Sequence, residues 1–293
     1  MAFADDPTLA EAGLTGLAVY PLARRGLMMT SLIAGLTLAT TRVEAQAIHT
    51  GTDGLIAGAT SIPSGGVALP AYFARPAGAG PFPIVLVIEE IFGVHEYIRD
   101  VVRRLAKAGY FAVAPELYAR IADLSQMTDV QQIFRDVILK APDAQLLADL
   151  DAAAAWAATQ GGDPARLAVT GFCRGGRDVW LYAAHNPALK AAVAWYGPVA
   201  GPTSDIQPMT AAMAAPRLLA PLLGLYGAQD SGIRMQDVQE AADAARAAGK
   251  HVEIVIYPDA PHGFHADYRP SYRAADAADG WQRLLAFFHA HGV

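Results

Sequence analysis

The stretch Leu167-Ala168-Val169-Thr170-Gly171-Phe172-Cys173-Arg174-Gly175-Gly176 decides how this 293-residue chain folds. Its apolar first half reads as the end of a strand and its glycine-rich second half as the opening of a helix. Between them lies G-x-C-x-G, the pattern of a sharp strand-to-helix turn that lifts one side chain above the end of a sheet. Such a turn requires small residues two places before and two places after the lifted residue, because larger side chains there collide. A helix N-terminus beneath Cys173 favours the thiolate. The competing reading is a buried structural cysteine, since free cysteine is among the most buried residues.

Outward from this turn, strands and helices alternate. Val67–Phe73 reads as an early strand. Pro83–Ile88 (PIVLVI) is continuously apolar, as in a strand covered on both faces. Tyr97–Ala108 places Ile98, Val101, Val102 and Leu105 at helical spacing, and Tyr110–Ala114 is a strand stopped by Pro115. Asp129–Ala158 reads as mostly helical. Arg166–Gly171, Ala191–Tyr196, Leu222–Tyr226 and Val252–Tyr257 read as strands. Gly175–His185, Gln236–Ala248 and Ala274–His289 read as helices. This order predicts an α/β fold with a mostly parallel central sheet and helices on both faces. The run after residue 47 shows no linker and no change of composition, so it reads as one domain, 48–293.

In this architecture an acid is expected after a later strand and a histidine after the last one. Asp230 follows Leu222–Tyr226, and His262 follows Val252–Tyr257. Cys173 as nucleophile, His262 as base and Asp230 as the acid that orients it form the expected triad. Asp259 is the competing acid and His265 the competing base. Backbone N–H groups of Ile91, after strand Pro83–Ile88, and of Arg174, after the cysteine, are the expected oxyanion donors. Glu89 and Glu90 end that same apolar strand. Two carboxylates there are either solvated, or held by an arginine or by a thiol proton.

Hydrophobic residues make up 53% of the chain and charged residues 17%, which suits a large buried core and excludes a disordered protein. One cysteine excludes an intrachain disulfide and a cysteine-rich zinc site. The net charge of −6 offers no basic face for nucleic acid. No glycine-rich phosphate loop follows a first strand, so no nucleotide cofactor is expected. His262 and His265 have no third ligand near them in the sequence, so no metal is expected. Of the four tryptophans, Trp195 lies at a strand end beside the elbow and, with Tyr196, is a candidate for lining the pocket; the others read as core.

Arg24 and Arg25 precede the uncharged apolar run Gly26–Thr40, and Ala45-Gln46-Ala47 follows it. A basic segment, an apolar segment and a small-x-small site are the parts of an export signal, and paired arginines suggest the twin-arginine type. Residues 1–47 therefore read as a leader cleaved near Ala47, leaving an exported, periplasmic protein without a membrane anchor. The alternatives are a buried N-terminal helix or an uncleaved anchor, and a cytoplasmic protein if the leader does not function.

Taken together, EEIFGVH (Glu89–His95), PELYAR (Pro115–Arg120), GFCRGGR (Gly171–Arg177), YGAQD (Tyr226–Asp230) and PHGF (Pro261–Phe264) resemble the dienelactone hydrolase family, the cysteine branch of the α/β-hydrolases. The resemblance covers about residues 60–290. It implies an α/β-hydrolase fold without a large cap domain, and cleavage of a small lactone or carboxylic ester, of carboxymethylenebutenolide type, through the Cys173–His262–Asp230 triad. It also implies that Glu90 takes part in activating the thiol, and that Arg120, with Tyr118 beside it, meets a substrate carboxylate. The family's second carboxylate-binding arginine would fall at Ala266, and Arg269 is the candidate replacement. A broader carboxylesterase or thioesterase, a thiol redox protein and a binding protein on the same scaffold are the other functions compatible with these residues.

Overall fold

The computed structural model describes residues 48–293, and the expected leader lies outside the described residues. Eight strands form one sheet in the order β1-β2-β4-β3-β5-β6-β7-β8. They are β1 (Leu55–Ser64), β2 (Val67–Pro76), β3 (Phe82–Ile88), β4 (Phe111–Pro115), β5 (Gly162–Phe172), β6 (Leu189–Trp195), β7 (Leu222–Gly227) and β8 (Val252–Tyr257). The β1–β2 and β2–β4 pairs are antiparallel, and every other neighbouring pair is parallel. The α-helices are α1 (Glu96–Lys107), α2 (Val130–Asp136), α3 (Asp143–Thr159), α4 (Arg174–Ala183), α5 (Ala211–Ala214), α6 (Met235–Ala247) and α7 (Ala274–Ala290). They cover both faces of the sheet, and no large cap domain is inserted among the described residues.

The central strands are buried because both of their faces are covered. Ile84 through Ile88 of β3 have no exposed surface, which is why that strand reads as an unbroken apolar run. Helix α1 turns Ile98, Val101, Val102 and Leu105 into the core, each fully buried. Burying one such side chain contributes roughly 1.5–3 kcal/mol.

One expectation is corrected. Strand β1 is absent from the sequence reading, yet it pairs along its whole length with β2 through the turn at Gly65-Gly66, where φ is +53° and +81°. Its alternate residues are half exposed at the sheet edge, which weakens the apolar signal. The stretch 129–158 is mostly helical, as expected, and divides into α2, a short 3₁₀ turn (Ile138–Lys140) and α3. Pro142 caps α3; it has no N–H and biases Ala141 to extended backbone, so a continuous helix cannot pass.

Candidate active site

Cys173 sits between β5 and α4 with φ 55° and ψ −117°, a conformation L-residues rarely adopt. The two glycines that flank it are required by contact. A Cβ on Gly171 would lie 2.5 Å from the Gly175 carbonyl oxygen. One on Gly175 would lie 2.4 Å from the Glu89 carbonyl oxygen. The first turn of α4 is therefore pressed against the end of β3. This brings the loop that carries Ile91 beside Arg174, whose N–H, at the first position of a helix, has no intrahelical acceptor.

Asp230, His262 and Cys173 form one hydrogen-bonded line. His262 Nδ1 lies 2.7 Å from Asp230 Oδ2, and His262 Nε2 lies 3.2 Å from Cys173 Sγ. The loops after β7 and β8 are tied by hydrogen bonds from Gln229 N to the Ala260 oxygen and from Ala228 N to the Tyr257 oxygen. The other oxygen of Asp230 accepts from the N–H groups of Gly232 and Ile233, so the carboxylate is held in place. Burial disfavours an imidazolium at His262. The Asp230 carboxylate, Cys173 and the hydrogen bonds to both overcome this and push His262 up to about 10. A protonated His262 facing the sulfur is placed to pair with the thiolate once the thiol has given up its proton.

The rival residues stand elsewhere. Asp259 is exposed. His265 hydrogen-bonds Tyr97 at 2.7 Å and packs against Phe172, Trp195 and Trp281. Burial, then the nearby Arg104 charge, lower His265 to about 3, so it is a neutral core residue.

The two glutamates after β3 have opposite fates. Both are fully buried. Glu90 Oε2 accepts from the Tyr268 hydroxyl at 2.5 Å and lies 3.1 Å from Arg269 Nη2 and 3.8 Å from His95 Nε2. Burial would raise its pKa. The Arg269 charge first, then His95 and the Tyr268 hydroxyl, reverse this and bring Glu90 down to about 2. Its second oxygen, Oε1, has no hydrogen-bond partner among the described residues. Glu89 accepts from Leu117 N at 2.7 Å and has no cation against it. Burial, then the Glu116 charge, push its carboxyl well above the usual carboxylate range, against the hydrogen bond from Leu117 N.

The expected substrate-binding residues are dispersed. Arg269 is 2% exposed and committed to Glu90 and Tyr268, while its Nε and Nη1 have no hydrogen-bond partner among the described residues. Arg120 is already engaged in an ion pair. Asp149, fully buried on α3, takes its guanidinium at 2.7 Å, and the Ser64 carbonyl of the β1–β2 hairpin accepts from it at 2.8 Å. A buried carboxylate needs a cation, and Asp149 has claimed this one. Tyr118 is buried with its hydroxyl unpartnered. Trp195 has no exposed surface, donates its indole N–H to Thr170 Oγ1 at 3.1 Å and packs its ring against Gly280. Its neighbour Tyr196, with φ 37°, instead faces His262 at 5.2 Å between ring centroids.

Tyr268 and His95 are the contributors that the sequence reading left out. Tyr268 stands directly before Arg269, and His95 closes the EEIFGVH segment. Adjacency to residues already singled out was the available signal.

Comparison with known proteins places the chain in a family. The family model described as "Dienelactone hydrolase family" matches residues 69–292. A protein of Methylorubrum extorquens named "Putative carboxymethylenebutenolidase" is 54% identical over 289 residues, covering 98% of this chain and 99% of its own. An Escherichia coli K12 protein of the same name is 52% identical over 266 residues, covering 90% and 98%. A solved structure from Klebsiella pneumoniae, titled as a "Putative Dienelactone Hydrolase", superposes with a TM-score of 0.79 at 57% identity over 80% of this chain and 98% of that one.

Proposed function

This chain belongs to the dienelactone hydrolase family and is a hydrolase, and we propose that it opens a lactone or carboxylic ester through a thioester on Cys173. The observation that carries this is the unbroken line Asp230–His262–Cys173. The sulfur attacks the acyl carbon, and the N–H groups of Ile91 and Arg174 receive the oxyanion. Collapse expels the alkoxide or enolate, which takes the proton of the His262 imidazolium and leaves that imidazole neutral. Water then attacks the thioester with His262 as base, releasing the acid and restoring the thiol.

An enol lactone bearing a carboxylate is the substrate class best matched. Its enolate is a good leaving group, so strong acid assistance is not needed. The unpartnered Nε and Nη1 of Arg269 suit an incoming carboxylate. Drawing Arg269 toward that anion loosens its hold on Glu90, whose free Oε1 then accepts the thiol proton. Turnover of dienelactone and of nitrophenyl esters, measured for the native enzyme and for Cys173→Ala, tests the proposal. Loss of both activities in the variant is expected, and unchanged turnover would sink it.

The residues of the leader support export to the periplasm, with cleavage near Ala47. Cell fractionation with and without substitution of Arg24 and Arg25 tests this.

A further inference from the structure

We propose that cutting the chain between Ala47 and Ile48 creates an α-ammonium held by the buried carboxylate of Asp267, fastening the start of the processed chain to the loop that carries Tyr268 and Arg269. The inference goes beyond the hydrolase chemistry and starts from the proposed leader.

Ile48 N–H already donates to Asp267 Oδ2 at 3.2 Å. Asp267 is 1% exposed, and its other oxygen, Oδ1, has no partner among the described residues. Residues 48–50 are docked on α1 by further bonds. Thr50 N donates to Asp100 Oδ1, and the Thr50 carbonyl accepts from Arg103 Nε at 2.7 Å. Arg104 joins the two carboxylates, reaching Asp267 Oδ2 at 2.6 Å and Asp100 Oδ2 at 2.5 Å. Arg103 meets Glu96 and Asp100. In this cluster Glu96, Asp100 and Asp267 outnumber the permanent cations Arg103 and Arg104 by one carboxylate, with the His49 ring 3.4 Å from Glu96. An ammonium at Ile48 restores the balance and offers three donors where the amide offers one. Burial, only partly opposed by Arg104, pushes the Asp267 carboxyl up, as expected of an acid short of cations.

The cleavage is a hydrolysis by a signal peptidase. The Ala47–Ile48 C–N bond breaks, water's oxygen stays on Ala47 as a carboxylate, and the Ile48 nitrogen leaves as an amine that takes a proton. Ala45-Gln46-Ala47 supplies the small-x-small site, and the Ile48 side chain stands at the surface, 44% exposed. Asp267 immediately precedes the two residues that grip Glu90, so the new ion pair steadies the active-site loop from its far side.

The test begins with the full chain expressed in an exporting bacterium and purified from the periplasm. Its intact mass is expected to be that of a chain starting at Ile48; another start, or an uncut chain, overturns the proposal. Asp267→Asn is then compared in the processed protein and in a leader-retaining protein blocked by Ala47→Asp. The expected result is a larger fall in Tm in the processed form, and equal falls overturn the proposal. An amine-selective acylating reagent is expected to label the α-amine of folded processed wild type at least about tenfold more slowly than after unfolding in urea, the effect of one pKa unit on the free-amine fraction. Equal rates overturn the proposal, and this comparison stands even if the Asn variant does not fold.

Discussion

Arg269 and Glu90 form an ion pair with neither side chain exposed, Nη2 lying 3.1 Å from Oε2. The pair comes from distant parts of the chain, yet it is the main influence that pulls the buried Glu90 carboxyl down. Only one carboxylate oxygen is gripped; the other stays free to take a proton.

Removing the arginine leaves a buried charge without a partner. Arg269→Met is expected to cost about 3–5 kcal/mol of unfolding free energy by urea titration. Glu90→Gln in the same chain is expected to restore part of that loss, because it removes the stranded charge. A single variant as stable as wild type would show that Glu90 is held by other groups.

Stability should respond to pH on two sides. His262 is raised from 6.5 to about 10, so its contribution is whole below pH about 6.5 and is lost as pH rises through about 10. Glu90 is lowered from 4.5 to about 2, so its contribution is whole above pH about 4.5 and is lost as pH falls through about 2. Urea midpoints measured across this range should therefore fall at both ends. His262→Asn is expected to flatten the alkaline limb alone.

Asp230→Asn tests charge apart from geometry. The amide oxygen can still accept from Gly232 and Ile233, so the loop keeps its shape. The negative charge beside His262 is gone. A fall of about 10²–10⁴ in kcat with little change in KM is expected for a nitrophenyl ester. A change confined to KM would argue against the proposed role.

Gly175→Ala places a Cβ 2.4 Å from the Glu89 oxygen and 2.7 Å from the Ile88 oxygen. Both are backbone atoms and cannot swing aside. A loss of about 1–3 kcal/mol is expected, with a fall in kcat as the Ile91 loop shifts. Gly58→Ala in β1 meets nothing within 4 Å and serves as the control, with stability near that of wild type.

Much of this was legible locally. Strand β8 has the bounds expected from its apolar run, and Gly171 and Gly175 have the contacts that an elbow demands. The choice of Asp230 over Asp259 followed from strand order. What escaped the sequence was pairing. The Tyr268–Glu90 bond joins residues 178 positions apart, and no period or motif announces it. Arg120 and Trp195 had the right chemistry and the right neighbours in sequence, but a buried Asp149 and the aromatic core claimed them.

The sequence by itself determined the order of strands and helices, the sharp turn under Cys173 and the inventory of reactive groups, because these depend on apolar periodicity and on residue size within a few positions. Only the tertiary structure decided which cation each buried carboxylate received, that the Glu90 carboxyl is pulled down while that of Glu89 is pushed up, and that Ile48 is tied to Asp267. Those outcomes depend on which loops converge at the strand ends and how completely they exclude water, and neither is written in any local stretch of the chain.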